Sequence, residues 1–422
     1  MESSTFDVAR KQASASISLQ AAMSALPADL CFDQFLSEVT AEGYPGYRYH
    51  AGSSLVDEVE NFAIQNAQDL FCARFANVQP LSCSLANIAT FTALARPGSA
   101  ILSLGLADGG HLSHGAPPSL TAKLFDISHY GLKGDQIDFD EVLRIAKEVR
   151  PKIIVAGASS FPLQLNYAEF AAIALTVDAE LVADVSHVAG LIAAGLIDSP
   201  IPHATVVTTS LYKQLFGPRG GLILSDADPS SNRSKLLDKS VFPGVQGTPD
   251  FHQIAMKGVA LLKAQTPPFR LLMNRVLSLA STMADEFVDN GIRLVCGGTE
   301  THMLLLDLRS HKVSGAKIEK ILEECGVLAN RNLIPGDVQS PRNPSGLRIG
   351  TNSIAYRNFD SESARQLAAS ISSILKEPDS PDPRNRLKML VGALTNRFPL
   401  DWSTFTQPEP ESQPAPQESP AR

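Results

Sequence analysis

The chain has 422 residues, 44% of them hydrophobic and 19% charged, with a formal net charge of −8. That length supplies one large domain with an appendage, or two ordinary domains, and the composition is that of a globular enzyme. The acidic balance speaks against a nucleic-acid partner, no apolar run reaches the length of a membrane span, and the polar N-terminus lacks the basic-then-apolar order of a secretory signal.

Residues 1–45 read as a helix-prone N-terminal arm rich in Ala and Ser. Glycine, proline and aromatics from Ala41 to Gly52 mark a rigid irregular loop, and apolar residues from Leu55 to Phe71 recur at helical spacing. A large domain is expected over 46–265. Its strands are read at Ala100–Leu104, Lys152–Ala156, Glu180–Asp184 and Thr205–Thr209, with helices at Leu85–Leu94, Asp140–Val149 and Tyr167–Asp178. This alternation predicts an α/β fold, a mainly parallel sheet covered by helices on both faces, with ligands beyond the strand C-termini. Helical sequence follows from Thr248 to Ala284, broken by Pro267 and Pro268. A smaller C-terminal α+β domain is expected over 266–400, with strands at Met303–Leu308 and Ser345–Thr351 and helices at Ala316–Cys325 and Ser361–Leu375. Residues 401–422, rich in Pro, Gln, Glu and Ser, read as disordered. The five cysteines are scattered without a CxxC pair, which predicts a reducing, cytoplasmic setting with neither metal nor disulfide.

Several residues stand out chemically. Lys213 lies between a β-branched strand and a Gly-Pro-Arg-Gly-Gly turn, where desolvation favours a neutral, nucleophilic amine; a surface loop lysine is the plainer alternative. Asp184 ends a buried strand, suited either to a protonated ring nitrogen or to capping a helix. Ser82, Cys83 and Ser84 precede a helix near Leu85, as phosphate ligands or ordinary caps. His111 in a glycine-rich loop could stack on a flat ring or satisfy loop carbonyls, and His114 reads as a structural neighbour. Arg348, between Gly346 and Gly350, suits a bidentate grip on a carboxylate or an interdomain salt bridge. Glu42 is a candidate acid or base, or a solvated loop carboxylate.

Together the motifs AEGYPGYRY (41–49), VQPLSCSLAN (78–87), GGHLSHG (109–115), ADVSHVAGLIAAG (183–195), LYKQLFGPRGG (211–221), FPGVQG (242–247) and SGLRIGT (345–351) resemble the serine hydroxymethyltransferase family. The resemblance covers most of the chain and implies a pyridoxal 5'-phosphate (PLP) enzyme of the aspartate-aminotransferase-like fold, its large domain built on a seven-stranded type of sheet. It implies aldol chemistry at the Cα–Cβ bond of a β-hydroxy amino acid, with tetrahydrofolate as a cosubstrate. Lys213 would be the Schiff-base lysine, Asp184 the pyridinium partner and His111 the stacking ring. Ser82, Cys83, Ser84 and Ser210 would line the cofactor, with Ser159 and His187 near its phenolic oxygen. Gly247 and Thr248 would serve the phosphate of a second subunit, making a homodimer with shared active sites. Arg348, Tyr49, His50 and Asn332 would face substrate or folate, and Glu42 would take part in the folate chemistry. The chain departs from the family at Thr40, His50, Leu85, Leu211, Tyr212, Arg342 and Pro344, and at Cys83 and Thr248, where the family has glycine. Those departures leave two other expectations open: a threonine transaldolase or aldolase that needs no folate, and a non-catalytic PLP-binding relative.

Overall fold

The computed structural model describes residues 14–22 and 35–400. The expected disorder of 401–422 and most of the helix-prone arm lie outside the described residues. Where the arm is described, Ile17–Ser18 is a strand pairing in parallel with Val327–Leu328. Ile17, Leu19 and Ala21 are all buried, so this segment alternates with the period of a strand and not of a helix.

Seven strands form the central sheet: β1 (Phe75–Asn77), β2 (Ala100–Leu104), β3 (Asp126–Tyr130), β4 (Ile153–Gly157), β5 (Glu180–Asp184), β6 (Val206–Ser210) and β7 (Gly221–Ser225). Their spatial order is β1-β7-β6-β5-β4-β2-β3, parallel throughout except for β7, which runs against both neighbours. The sheet is sealed on both faces. In β4, Ile153 and Val155 pack on one side with Phe91 and Phe125, while Ile154 and Ala156 join the main core with Phe170 on the other. Such two-faced burial explains why the strands read as unbroken apolar runs.

The flanking helices include α1 (Asp57–Phe71), α2 (Cys83–Leu94), α3 (Phe139–Val149), α4 (Tyr167–Val177), α5 (Phe251–Ala264) and α6 (Pro267–Asp289). Side-chain oxygens of Asp138, Asn166 and Asp250 cap α3, α4 and α5. The two prolines break the helical run as expected, between α5 and α6, and they do so by opening α6, where a missing N–H costs nothing. Helix α2 starts two residues earlier than expected, because Ser82 is its cap and accepts from the Leu85 N–H at 3.2 Å.

Beyond α6, β8 (Arg293–Leu294), β9 (Met303–Asp307), β10 (Asn330–Asn332) and β11 (Gly346–Gly350) form a second, antiparallel sheet in the order β8-β9-β11-β10. Helices α7 (Gly315–Glu324), α8 (Ser361–Lys376) and α9 (Pro381–Arg397) pack with it. Among the described residues, no helix is long and apolar enough to cross a membrane.

Candidate active site

A cavity of about 280 Å³ opens beyond the C-terminal ends of β5 and β6, bounded by the start of α2, the His111 loop and the turn after Lys213. Asp184, the last residue of β5, is buried in its wall. Its Oδ2 accepts from Asn87 Nδ2 at 2.8 Å and His114 Nε2 at 2.9 Å, and its Oδ1 accepts from the Ser186 N–H at 3.0 Å. Burial alone would raise this acid. The hydrogen bond and charge of His114, with the charges of His111 and Lys213, outweigh burial and hold Asp184 well below the usual carboxylate range. Gly157, beside Asp184 on β4, leaves the room: a Cβ there would lie 2.9 Å from the Asp184 Cβ and 3.1 Å from the His114 ring.

Lys213 is buried in the same wall. Its amine makes no hydrogen bond or ion pair among the described residues and lies 5.9 Å from the centre of the Tyr212 ring. Burial lowers its proton affinity, Asp184 and Cys83 pull it partly back, and Arg348 lowers it further. The result is an amine shifted toward its nucleophilic form. Ser82, Cys83 and Ser84 line the cavity at the N-terminus of α2, with its unpaired backbone N–H groups. The Cys83 thiol is 3.7 Å from both Asp184 oxygens and accepts from Ser186 Oγ at 3.1 Å. Burial, then the Asp184 charge, push this thiol well above its ordinary range, so it stays protonated.

Burial pushes His111 down to about 4, the charge of Asp184 notwithstanding, so its ring is neutral at physiological pH. The Nδ1 of His111 accepts from the Ser113 N–H at 3.2 Å, leaving the proton on Nε2. His187 is held well below the ordinary imidazole range by burial and by Lys213 and Arg348, and stacks on His302 at 5.8 Å. Its buried Nδ1 has no hydrogen-bond partner among the described residues, nor does Ser210 Oγ.

Arg348, on β11, does not line the cavity itself but lies close enough for its charge to act on Lys213, His111 and His187. Its Nη1 donates to the Ser159 carbonyl at 2.7 Å and to Ser159 Oγ at 3.2 Å, while its buried Nε has no acceptor. Burial pushes the guanidinium down to about 10, still charged at neutral pH. The alternative reading, an interdomain salt bridge, is not met: no carboxylate pairs with Arg348 among the described residues. Asn332, on β10, donates to Ser160 Oγ at 3.0 Å, next to Ser159.

The remaining expected residues collect elsewhere. Glu42 Oε1 accepts from Thr248 Oγ1 at 3.1 Å, the Glu42 N–H lies 3.4 Å from His50 Nδ1, and Gly247 adjoins Glu42. Tyr49 is 76% exposed. None of these five lines the cavity of its own chain.

Three contributors to the cleft were given no such role from sequence. His114, read as merely structural, is bonded directly to Asp184. Asn87 and Ser186 complete that carboxylate's ligand set. Asn87 could have been found from its position, four residues after Cys83 and so on the same face of α2.

An α/β sheet with a buried, unpaired lysine, a strand-end aspartate and a helix N-terminus around one cavity defines the class of type I PLP enzymes. The family model for serine hydroxymethyltransferase matches residues 12–371. A curated serine hydroxymethyltransferase from Coprothermobacter proteolyticus is 46% identical over 367 residues, 86% of this chain and 87% of that protein. The chain belongs to the serine hydroxymethyltransferase family, whose members use PLP with tetrahydrofolate as cosubstrate.

Proposed function

We propose that this chain interconverts serine and glycine, making and breaking the Cα–Cβ bond of a β-hydroxy amino acid as a PLP-dependent hydroxymethyltransferase. The observation that carries this reading is the meeting at one cleft of the unpaired amine of Lys213 and the charged Asp184, with Arg348, its Nε unpaired, near enough for its charge to act on Lys213. The cleft fits the cofactor on its own evidence, since Ser210 Oγ and His187 Nδ1 are buried polar atoms without a protein partner. When bound, PLP supplies an electron sink for the pair left on the substrate's Cα.

The chain's own residues do the rest. Lys213 would hold the cofactor through its aldehyde, as a buried amine shifted toward its nucleophilic form. Asp184, kept ionised by His114 and Asn87, holds a proton on the ring nitrogen. His111 offers a neutral ring face. Ser82, Cys83 and Ser84 grip the phosphate, with Ser210, while Ser159 and His187 attend the phenolic oxygen. Arg348 presents the edge of its guanidinium to the substrate carboxylate, fixing which Cα bond faces the ring. Asn332 contacts folate.

Glu42, Tyr49, His50, Gly247 and Thr248 are assigned to the neighbouring cleft of a homodimer. What supports this is their clustering away from their own Lys213, with Tyr47 and Tyr49 exposed beside them. Glu42 is then the proton-transfer group for one-carbon exchange with folate.

The deciding assay is conversion of labelled serine to glycine by purified, PLP-loaded protein, with and without tetrahydrofolate. Transfer that depends on folate is expected. Equal turnover of threonine without folate, or no turnover of either amino acid by a PLP-loaded protein, would overturn the reading.

A further inference from the structure

Lys257 lies on α5, outside the cleft, and is fully buried. It forms no ion pair among the described residues; its ammonium donates instead to three main-chain carbonyls: Val78 at 2.6 Å, Pro80 at 2.9 Å and Gly221 at 3.3 Å. Two of these belong to the segment leading into Ser82–Ser84. The third belongs to the turn that closes the Lys213 loop. The segments also meet directly: the Gly221 N–H donates to the Pro80 carbonyl at 2.8 Å, a Cβ on Gly221 would lie 2.6 Å from the Ser82 carbonyl, and Ile223 pairs with Asn77 just beyond.

The rest of the packing allows little slack. A Cβ on Gly220 would lie 2.3 Å from Lys257 Cε, so the turn rests on the lysine stem. Gln79, between two of the carbonyls, donates to Glu60 at 2.8 Å and to the Gly43 carbonyl at 2.9 Å, and its own carbonyl accepts from Gln246 at 2.8 Å. Burial pushes the Lys257 amine down to about 7, with Asp250 and Glu60 pulling it back. The three carbonyls also favour its charged form. Convergent carbonyl oxygens around one compact positive charge are how proteins coordinate a small monovalent cation.

We propose that Lys257 is a positioning residue that acts as a tethered monovalent cation, fixing the spacing between the phosphate-side start of α2 and the turn after Lys213. This rests on the PLP reading above. With the ammonium removed, the Val78 and Gly221 carbonyls lose this donor, the Pro80 carbonyl keeps only the Gly221 N–H, and the spacing of the two walls loosens, so the grip on the cofactor phosphate weakens first.

The test titrates apo wild type, Lys257→Met and Lys257→Gln with PLP and with pyridoxal, which lacks the phosphate, following visible absorbance. Buffers contain tetramethylammonium chloride, then potassium or methylammonium chloride at equal ionic strength. Failure of the wild type to bind PLP would sink the cofactor reading and this inference with it, whereas normal binding by the wild type leaves the variants to test Lys257 alone. Lys257→Met is expected to bind PLP at least about tenfold more weakly, with pyridoxal affinity changed less than about threefold. Potassium or methylammonium is expected to raise the Tm of the apo variant and to recover much of the PLP affinity, leaving wild type unchanged. PLP affinity of the variants within about twofold of wild type would overturn the proposal. So would an equal loss for both ligands with no response to cations. If Lys257→Met is insoluble, Lys257→Gln carries the test by the same criteria, and insolubility of both in every cation also counts against the proposal.

Discussion

The wall around Lys213 and Asp184 and the cluster around Glu42 and Thr248 are built on different terms. In the first, the groups are buried: Asp184 is bonded within one chain, the Lys213 amine and Ser210 Oγ are left open, and burial together with neighbouring charges sets the protonation of each group. In the second, Glu42 and Thr248 meet near the surface, beside exposed tyrosines. Groups whose protonation must not vary sit in rigid, desolvated surroundings. Groups that meet a second ligand sit where a neighbour can complete them.

The contrast can be broken experimentally. Lys213→Ala is expected to lose activity on the order of a thousandfold or more and to abolish Lys213-dependent cofactor absorbance; a coloured, active variant would place the nucleophile elsewhere. Asp184→Asn keeps the shape but not the charge, so kcat should fall roughly a hundredfold with little change in serine KM, measured by steady-state kinetics. Mixing inactive Lys213→Ala and Glu42→Gln chains should restore up to about a quarter of wild-type activity, because random pairing gives half mixed dimers with one intact site each. No recovery after confirmed subunit exchange would return Glu42 to its own chain's cleft.

A smaller effect separates the two regions by pH. His111 titrates at about 4 in the folded chain against an ordinary 6.5. Between those values the unfolded chain binds more protons, so this contribution is complete above pH 6.5 and is lost progressively as pH falls to about 4. Asp184, depressed in the fold, behaves as acids do: its contribution is intact above the ordinary carboxylate pKa and is lost only below it. His111→Asn should therefore remove roughly 2 kcal/mol of the acid-side slope in denaturation midpoints measured from pH 7 to 4. Smallest of all, Thr248→Gly should change stability by no more than about 0.5 kcal/mol, since its bond to Glu42 is exposed.

Much of the large sheet was legible because β4, β5 and β6 are buried on both faces and therefore read as short apolar runs. β1, at three residues, offered no such signal, whereas β7, Gly-Leu-Ile-Leu-Ser, is buried throughout and carries one. Lys213, Asp184 and Arg348 were legible from their strand and glycine settings. His114 was not, since nothing local distinguishes a histidine that satisfies its loop from one that reaches a carboxylate 70 residues away. Lys257 was hidden for the same reason: its three acceptors are backbone carbonyls contributed by two distant turns, and carbonyls leave no mark in side-chain patterning.

The reversal of β7 constrains how the site can be entered. Ser210 and Gly221 are paired across β6 and β7, so the ten residues between them span two adjacent central strands like a footbridge between fixed piers. A bridge so short cannot swing aside as a gate. Loop grafts meant to admit bulkier guests therefore belong outside this bridge.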